Sequence, residues 1–243
     1  MTSEVHNIDC LELMRTLPDK CFQLAIADPP YGIDIASHPF RNKQTQKTWD
    51  KAIPMDEFFA ELFRVSQEQM IWGGNYFGLP PNKHFIIWDK KQPFDFTSSM
   101  CEYCWSSLDK PAKMFSYNVG NELGKIHPTQ KPVALYAWLL QHYAKPGDRI
   151  FDPMMGSQSS RIAAYKLGFD YVGCELDKEY FAKGCERFDR ECHGITISKN
   201  GQRYQQTSLF APNPDSVSDH QPDSVSDHQP DSVSASRPNS DIR

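Results

Sequence analysis

The chain has 243 residues, and 39% of them are apolar, which is enough to bury the core of one α/β domain. Its net charge of −5 argues against a generally basic nucleic-acid binder, but six Asp and two Arg from Ala211 onward account for −4 of that charge. No run of about 18 apolar residues occurs, and Met1–Cys10 has no apolar stretch of the signal-peptide type, so neither a transmembrane helix nor a leader is expected.

Short apolar runs alternate with helical patterns along the chain. This alternation indicates an α/β fold, a mostly parallel twisted sheet with helices on both faces, and we place that domain at residues 1–210. The predicted strands are Phe22–Ala27, Gln69–Trp72, His84–Trp88, Arg149–Phe151 and Tyr171–Cys174. The predicted helices are Met55–Val65, Lys131–Ala144 with Thr129 as N-cap, Gln158–Leu167 closed by Gly168, and Asp177–Cys192.

The sequence Asp28-Pro29-Pro30-Tyr31 follows directly after the first predicted strand. Ligands of open α/β sheets bind beyond the carboxyl ends of the strands, and prolines stiffen a turn there. Asp28 and the carbonyl of Pro29 could accept both hydrogens of an exocyclic base amine, while Tyr31 could stack on the base. Four residues alone are also compatible with an ordinary tight turn.

Two polar stretches interrupt the alternation, at residues 33–54 and 90–126. Long irregular segments within a compact domain are usually functional or mobile. Local basic patches bind phosphate, although solvated surface residues would look the same in the sequence. The basic residues concerned include Arg41, Lys43, Lys47, Lys113 and Lys125.

Seven cysteines, an odd number, are scattered through the chain, which favours a reducing cytoplasm over a disulfide framework. Cys101 and Cys104 form a C-x-x-C pair in a strand-like run, where positions three apart face opposite sides. A structural zinc site needs a second pair of ligands, and none is evident nearby. We therefore predict buried structural thiols and no metal.

A second candidate loop lies at the junction of the strand Arg149–Phe151 with the following helix. Its glycine allows close backbone approach, and a helix N-terminus favours a negative group of a cofactor. Asp152 could bind an ammonium, and Glu175, 23 residues later at the end of the next strand, could bind both hydroxyls of a ribose. The chain has neither a G-K-[ST] phosphate loop nor G-x-G-x-x-G, which disfavours an NTPase and an NAD enzyme.

The C-terminal segment is a low-complexity repeat. Pro-Asp-Ser-Val-Ser-Asp-His-Gln occurs at Pro214–Gln221 and at Pro222–Gln229, and a third copy starts at Pro230. Because this segment lacks the apolar mass to fold, we predict a disordered tail at residues 211–243.

Taken together, these residues resemble the amino-methyltransferases of DNA, in their circularly permuted beta class, over roughly Asn7 to Cys192. In that family the catalytic D-P-P-Y precedes the glycine motif, as it does here. Three further segments match in order and spacing, namely His127–Pro132, Asn7–Leu11 and Ile71–Phe77. The family usually has Phe where Met154 stands and a second Gly where Gln158 stands.

The resemblance implies that S-adenosylmethionine is the methyl donor and double-stranded DNA the partner, with direct in-line transfer to adenine N6 after the base leaves the helical stack. Neither a metal nor a covalent enzyme intermediate is then needed, and the DNA phosphates would contact the basic residues above. Members of this family often form homodimers, and some are partners of restriction nucleases. The implied catalytic residues are Asp28, Pro29, Pro30 and Tyr31, and the implied cofactor-binding residues are Asp9, Cys10, Lys131, Asp152, Pro153, Met154, Gly156, Ser157 and Glu175.

Three alternatives stay open. Transfer to cytosine N4 more often goes with Ser in place of Asp28. Methylation of a protein glutamine usually goes with Asn at that place and with the opposite motif order. An inactive DNA-binding protein is disfavoured by the presence of Asp28, Tyr31, Asp152 and Glu175.

Overall fold

The structure, a computed structural model, describes residues 1–33, 53–95, 98–118, 120, 124–198 and 200–205. Its strands are β1 Ser3–His6, β2 Phe22–Ala27, β3 Ser66–Trp72, β4 Phe85–Asp89, β5 Cys101–Ser106, β6 Lys113–Ser116, β7 Arg149–Asp152, β8 Asp170–Cys174, β9 Ile195–Ile197 and β10 Arg203–Gln205. Its helices are α1 Cys10–Thr16, α2 Asp56–Val65, α3 Val133–Tyr143, α4 Ser159–Leu167 and α5 Lys178–His193.

Eight of these strands form one mixed sheet in the order β1-β8-β7-β2-β3-β5-β4-β6. The five strands from β1 to β3 are parallel, and β5 is antiparallel to both of its neighbours. Strands β9 and β10 form a separate antiparallel pair. Parallel strands end at the same edge of a sheet, so the loops after β2, β7 and β8 lie side by side.

The alternation of side chains along β2 builds the two halves of the core. Leu24 and Ile26 face one side of the sheet and belong to a cluster that includes residues of α3 and α4. Ala25 and Ala27 face the other side and belong to a cluster with residues of α1 and α2. Because both faces of β2 are buried, its sequence is apolar except for the partly buried Gln23. The predicted sheet with helices on both faces is confirmed.

Several element predictions are corrected by the structure. The helix α3 begins at Val133 with Pro132 as its N-cap, not Thr129, and Pro132 makes no side-chain capping bond. The stretch at residues 90–126 is not irregular throughout, since it contributes β5 and β6. Cys104 is buried, but Cys101 is exposed at the first residue of β5, so only one of the two thiols is a core group.

Within the described ranges, none of the helices is long and apolar enough to span a membrane. The predicted tail at residues 211–243 lies outside the described residues, as does most of the stretch at residues 33–54.

Candidate active site

A cavity of about 470 Å³ opens where β2, β7 and β8 end. This volume suits a nucleoside-sized ligand. The cavity brings together two candidate loops that are far apart in the sequence, those that follow β2 and β7. Its lining residues are Ile8, Asp9, Cys10, Asp28, Pro30, His127, Thr129, Gln130, Lys131, Tyr136, Pro153, Met154, Met155, Gly156, Ser157, Ser159, Glu175, Leu176, Asp177 and Tyr180.

Asp28, at the end of β2, lies against a buried lysine. The Nζ atom of Lys131 is 2.5 Å from Asp28 Oδ1, and the side chain of Lys131 is only 3% exposed. The hydroxyl of Tyr31 donates to the same oxygen at 2.8 Å and accepts from Lys131 Nζ at 3.2 Å. Lys131 and Tyr31 are 100 positions apart in the chain, so the fold, not local sequence, assembles this group.

The charges of this pair support each other. Burial raises the pKa of Asp28 above its usual value, and the ammonium of Lys131 opposes that rise. Burial lowers the pKa of Lys131, but the carboxylates of Asp28 and Glu102 outweigh burial and hold this pKa above its usual value. Lys131 is therefore charged at neutral pH and favours the ionised form of Asp28.

Tyr31 is fixed by a close backbone approach. Gly73, in the turn after β3, has φ +68°, and a Cβ atom there would lie 2.2 Å from the Tyr31 ring. The ring of Tyr76 stacks on Tyr31, with centroids 5.1 Å apart and 14° between the planes. Neither Tyr31 nor Pro29 lines the cavity, although Asp28 and Pro30 do.

The opposite end of the cavity is acidic. Glu175 follows β8, and its two oxygens accept from the backbone N–H groups of Gly156, at 3.0 Å, and Asp177, at 2.8 Å. A carboxylate offers about four acceptor positions, so these two bonds orient Glu175 and leave it able to accept more. Asp9 lines the same region while capping α1 through a 2.8 Å bond from Leu11 N.

Cys10, one of the predicted cofactor-binding residues, also lines the cavity. Burial, together with the negative charge of Asp9, raises the pKa of its thiol to about 12. Because the thiolate is the nucleophilic form, Cys10 is unsuited to covalent catalysis at neutral pH.

Asp152 is the one predicted cofactor residue that does not line the cavity. It is 2% exposed, and it accepts from Met154 N at 3.0 Å and from the hydroxyl of Ser160 at 2.5 Å. Through these two hydrogen bonds, the carboxyl of Asp152 stabilises the loop between β7 and α4.

The two departures from the family pattern have structural explanations. Met154 lines the cavity, where its flexible apolar side chain can replace a larger one. Gln158 adopts the left-handed conformation that glycine favours, with φ +62°, at the N-cap of α4. Its side chain points towards α5, where Nε2 donates to Phe181 O at 3.3 Å, and it does not line the cavity.

The predicted DNA-contacting residues divide into two groups. Lys113 on β6 and Lys125 are exposed, and neither lines the cavity. Arg41, Lys43 and Lys47 lie outside the described residues.

Glu102, which was not among the predicted site residues, lies 3.0 Å from Lys131 Nζ. A signal for it exists, since Glu102 and the buried Cys104 are two positions apart on β5 and so share a face. Tyr180, on the first turn of α5, was not predicted either, and its ring packs edge-on against His127 with centroids 4.3 Å apart. Among the described residues, no cluster of His, Cys, Asp or Glu could hold a metal ion.

Comparisons with known proteins agree with this geometry. Residues 69–185 match the N6/N4 methyltransferase family model, described as DNA methylase. The type II methyltransferase M2.DpnII of Streptococcus pneumoniae is 28% identical over 144 residues, which are 59% of this chain and 50% of that protein. The chain thus spans about half the length of the curated relatives it matches.

Two solved structures share the fold. The M1.HpyAVI–SAM complex has a TM-score of 0.54 and 20% identity, with 76% of this chain and 98% of that one covered. The cytosine-N4-specific PvuII DNA methyltransferase has a TM-score of 0.53 and 14% identity, with 83% of this chain and 97% of that one covered. Over residues 69–185 the chain is thus similar to the DNA methylases of this family model, and it shares the fold of the two solved methyltransferases.

Proposed function

We propose that this chain transfers a methyl group from S-adenosylmethionine to adenine N6 in double-stranded DNA. The observation that carries the proposal is that Asp28, after β2, and the Gly156 and Glu175 loops, after β7 and β8, line one cavity. A donor held by the glycine loop and an amine held by Asp28 would therefore share one space.

The acidic end of the cavity suits the donor. Glu175 and Asp9 present acceptors for ribose hydroxyls and the amino groups of the cofactor, and Gly156 presents backbone without a side chain. S-adenosylmethionine would supply a methyl group on a positively charged sulfur. M1.HpyAVI, which has a similar fold, was solved as a complex with SAM.

Asp28 suits the methyl acceptor. The lone pair of an exocyclic base amine is delocalised into the ring, so acceptors for the amine hydrogens favour the pyramidal, nucleophilic nitrogen. Lys131 and Tyr31 both contact Oδ1 of Asp28, so we expect Oδ2 and the carbonyl of Pro29 to accept from the amine. The ring of Tyr31, already stacked on Tyr76, would form part of an aromatic wall beside the base.

The target base would have to leave the helical stack to reach this cavity. Lys113, Lys125, Arg41, Lys43 and Lys47 are the residues we propose for phosphate contacts. We further propose a cytoplasmic setting, alone or beside a restriction nuclease, and pairing into a homodimer as in other members of the family.

The second candidate is methylation of cytosine at N4. The likeness in fold to the cytosine-N4-specific PvuII DNA methyltransferase favours it, and the chemistry of the amine is the same. Transfer to cytosine N4 more often goes with Ser at the position of Asp28, so the Asp at this position favours adenine.

The experiment measures transfer of tritium from the labelled donor to PCR-amplified, hence unmethylated, double-stranded DNA, followed by digestion to nucleosides. We expect labelled N6-methyladenine with the wild-type chain, and a loss of at least about 100-fold with Asp28→Asn. The control is Asp19→Asn, a change at a 75% exposed side chain near the opposite end of β2. Label in N4-methylcytosine would show that the methylated base is cytosine and not adenine. Label in no DNA nucleoside would show that DNA is not the substrate.

A further inference from the structure

Glu102 is a largely buried carboxylate to which the proposed function assigns no task. It lies on β5, which pairs with β4 so that Glu102 is opposite Trp88. Its Oε2 atom is 3.0 Å from Lys131 Nζ, and its Oε1 atom is 2.7 Å from Lys90 Nζ. Each oxygen therefore holds a different ammonium, and the side chains of Glu102 and Lys90 are only 21% and 13% exposed.

The position of Lys131 follows from this arrangement. An ammonium has three N–H donors, and Lys131 has three oxygen neighbours, on Asp28 at 2.5 Å, on Glu102 at 3.0 Å and on Tyr31 at 3.2 Å. Its charge is thus shared between two carboxylates. Lys90, Glu102, Lys131 and Asp28 form a chain of alternating charge that runs from the edge of the cavity towards β4.

Removing four charged groups from water is costly, but here two cations neutralise two anions, and the attraction between them offsets part of that cost. Burial raises the pKa of Glu102, but Lys131 and Lys90 outweigh burial and hold it at about 2. Glu102 is therefore a permanent negative charge near Asp28, and it opposes the pull of Lys131 on that carboxylate.

We propose that Glu102, supported by Lys90, is a positioning residue that divides the positive charge of Lys131 between two carboxylates and so leaves Asp28 able to accept from the substrate amine. This inference rests on the proposed function. Without Glu102, Lys131 would bind Asp28 alone and make it a weaker acceptor. Without Lys90, Glu102 would draw more strongly on Lys131 and leave Asp28 more basic.

The charged and titratable groups around Asp28 come from several elements. Those with an electrostatic or hydrogen-bonded interaction with it are Lys131, Glu102, Tyr31, Tyr136, Asp152 and Cys104. Among these groups, Lys131 and Glu102 are held in their charged forms at neutral pH by each other and by their further partners, so changes at positions 102 and 90 report on their balance.

The test is the pH dependence of kcat/KM for methyl transfer to PCR-amplified double-stranded DNA, whose acid limb reports the ionisation of an essential base. We expect Glu102→Gln to move this limb to lower pH, and Lys90→Met to move it to higher pH, each by about one pH unit. Lys90→Arg, which restores the charge, should return the limb towards its wild-type position. The matched control, Lys83→Met, removes a 67% exposed lysine that pairs with Asp109 and should leave the profile unchanged.

Opposite shifts distinguish this role from a purely structural one, because a loosened site would move both profiles in the same direction. If the acid limbs of both variants coincided with that of the wild type, or if both moved in the same direction, the inference would be overturned. If one variant does not fold, the sign of the shift in the other still decides. Absence of transfer by the wild-type chain would instead overturn the proposed function.

Discussion

Asp28 and Asp152 are largely buried carboxyls at the ends of the neighbouring strands β2 and β7, but their partners differ. Asp28 contacts the ammonium of Lys131, whereas Asp152 is held by an amide and a hydroxyl. Burial raises the pKa of Asp152 to about 7, and its bonds from Ser160 and Met154 only partly oppose this rise. Asp28 is thus suited to accept hydrogen bonds as an anion, while Asp152 titrates near neutral pH.

The titration of Asp152 predicts a pH dependence of stability. Its pKa is about 7 in the folded protein against an ordinary value of 3.8. Between these values the folded chain keeps a proton that the unfolded chain has released, so the free energy of unfolding falls as the pH rises from about 4 to about 7. The largest possible contribution is about 4 kcal/mol.

Asp152→Asn removes this titrating group and keeps an acceptor for Met154 N, while the amide NH2 group would have to donate to the Ser160 hydroxyl instead of accepting from it. We therefore expect urea unfolding of this variant at pH 5 and at pH 7.5 to show a smaller loss of stability than the wild type. Asp109→Asn, at an 86% exposed side chain, serves as the control and should keep the wild-type loss. An unchanged loss in Asp152→Asn would show that other groups cause it.

At the level of elements, Gln158 links α4 to α5. Its Oε1 accepts from Arg161 at 2.8 Å, and its side chain fills the space beside Gly184 on α5. A Cβ atom on Gly184 would lie 2.6 Å from Gln158 Nε2. The absence of a side chain at position 184 thus compensates for the presence of one at position 158.

This compensation predicts a strong coupling between the two positions. In the wild type, Gly184→Ala should destabilise the fold by about 1–3 kcal/mol through overpacking. In a Gln158→Gly background the same change should stabilise it by up to about 1 kcal/mol, since Ala is the better helix former. The measurement is a double-mutant cycle in urea, with Gly78→Ala as control, because a Cβ there would meet nothing within 4 Å. Equal effects of Gly184→Ala in both backgrounds would contradict the packing.

An element could be predicted well when the pattern of apolar residues in its own sequence showed which of its residues are buried. Strand β2 is buried on both faces, so a run that is apolar except for Gln23 indicates its bounds at Phe22–Ala27. Strand β1 has no fully buried residue and α1 has only seven residues, so neither carries a clear period. Strand β6 is mostly exposed at the edge of the sheet, and its identity depends on pairing with β4.

At the level of the whole molecule, the site residues that could be predicted follow from local sequence patterns, and Glu102, which was not predicted, depends on long-range strand pairing. Asp28, Gly156 and Glu175 follow parallel strands, and the carboxyl ends of such strands meet at one edge, so sequence order was enough to bring them together. Glu102 reaches the site because β5 is inserted antiparallel between β3 and β4. That insertion depends on long-range pairing, which no local pattern in the sequence reveals.

The distribution of charge along the chain leads to a last prediction, which also rests on the proposed function. The segment from Ala211 onward carries −4 of the net charge of −5, so the rest of the chain is nearly neutral. Because DNA is a polyanion, this segment should weaken DNA binding at low ionic strength, and salt should screen the effect. We expect a chain ending at Phe210 to have a KM for DNA roughly threefold lower at 50 mM salt and unchanged at 0.5 M salt, where the Debye length is only a few ångströms. The thermal unfolding midpoint should not change, and a full-length chain with its six tail Asp residues replaced by Asn should behave like the truncated one. A higher KM after truncation would mean that the segment contributes contacts to DNA that outweigh its charge.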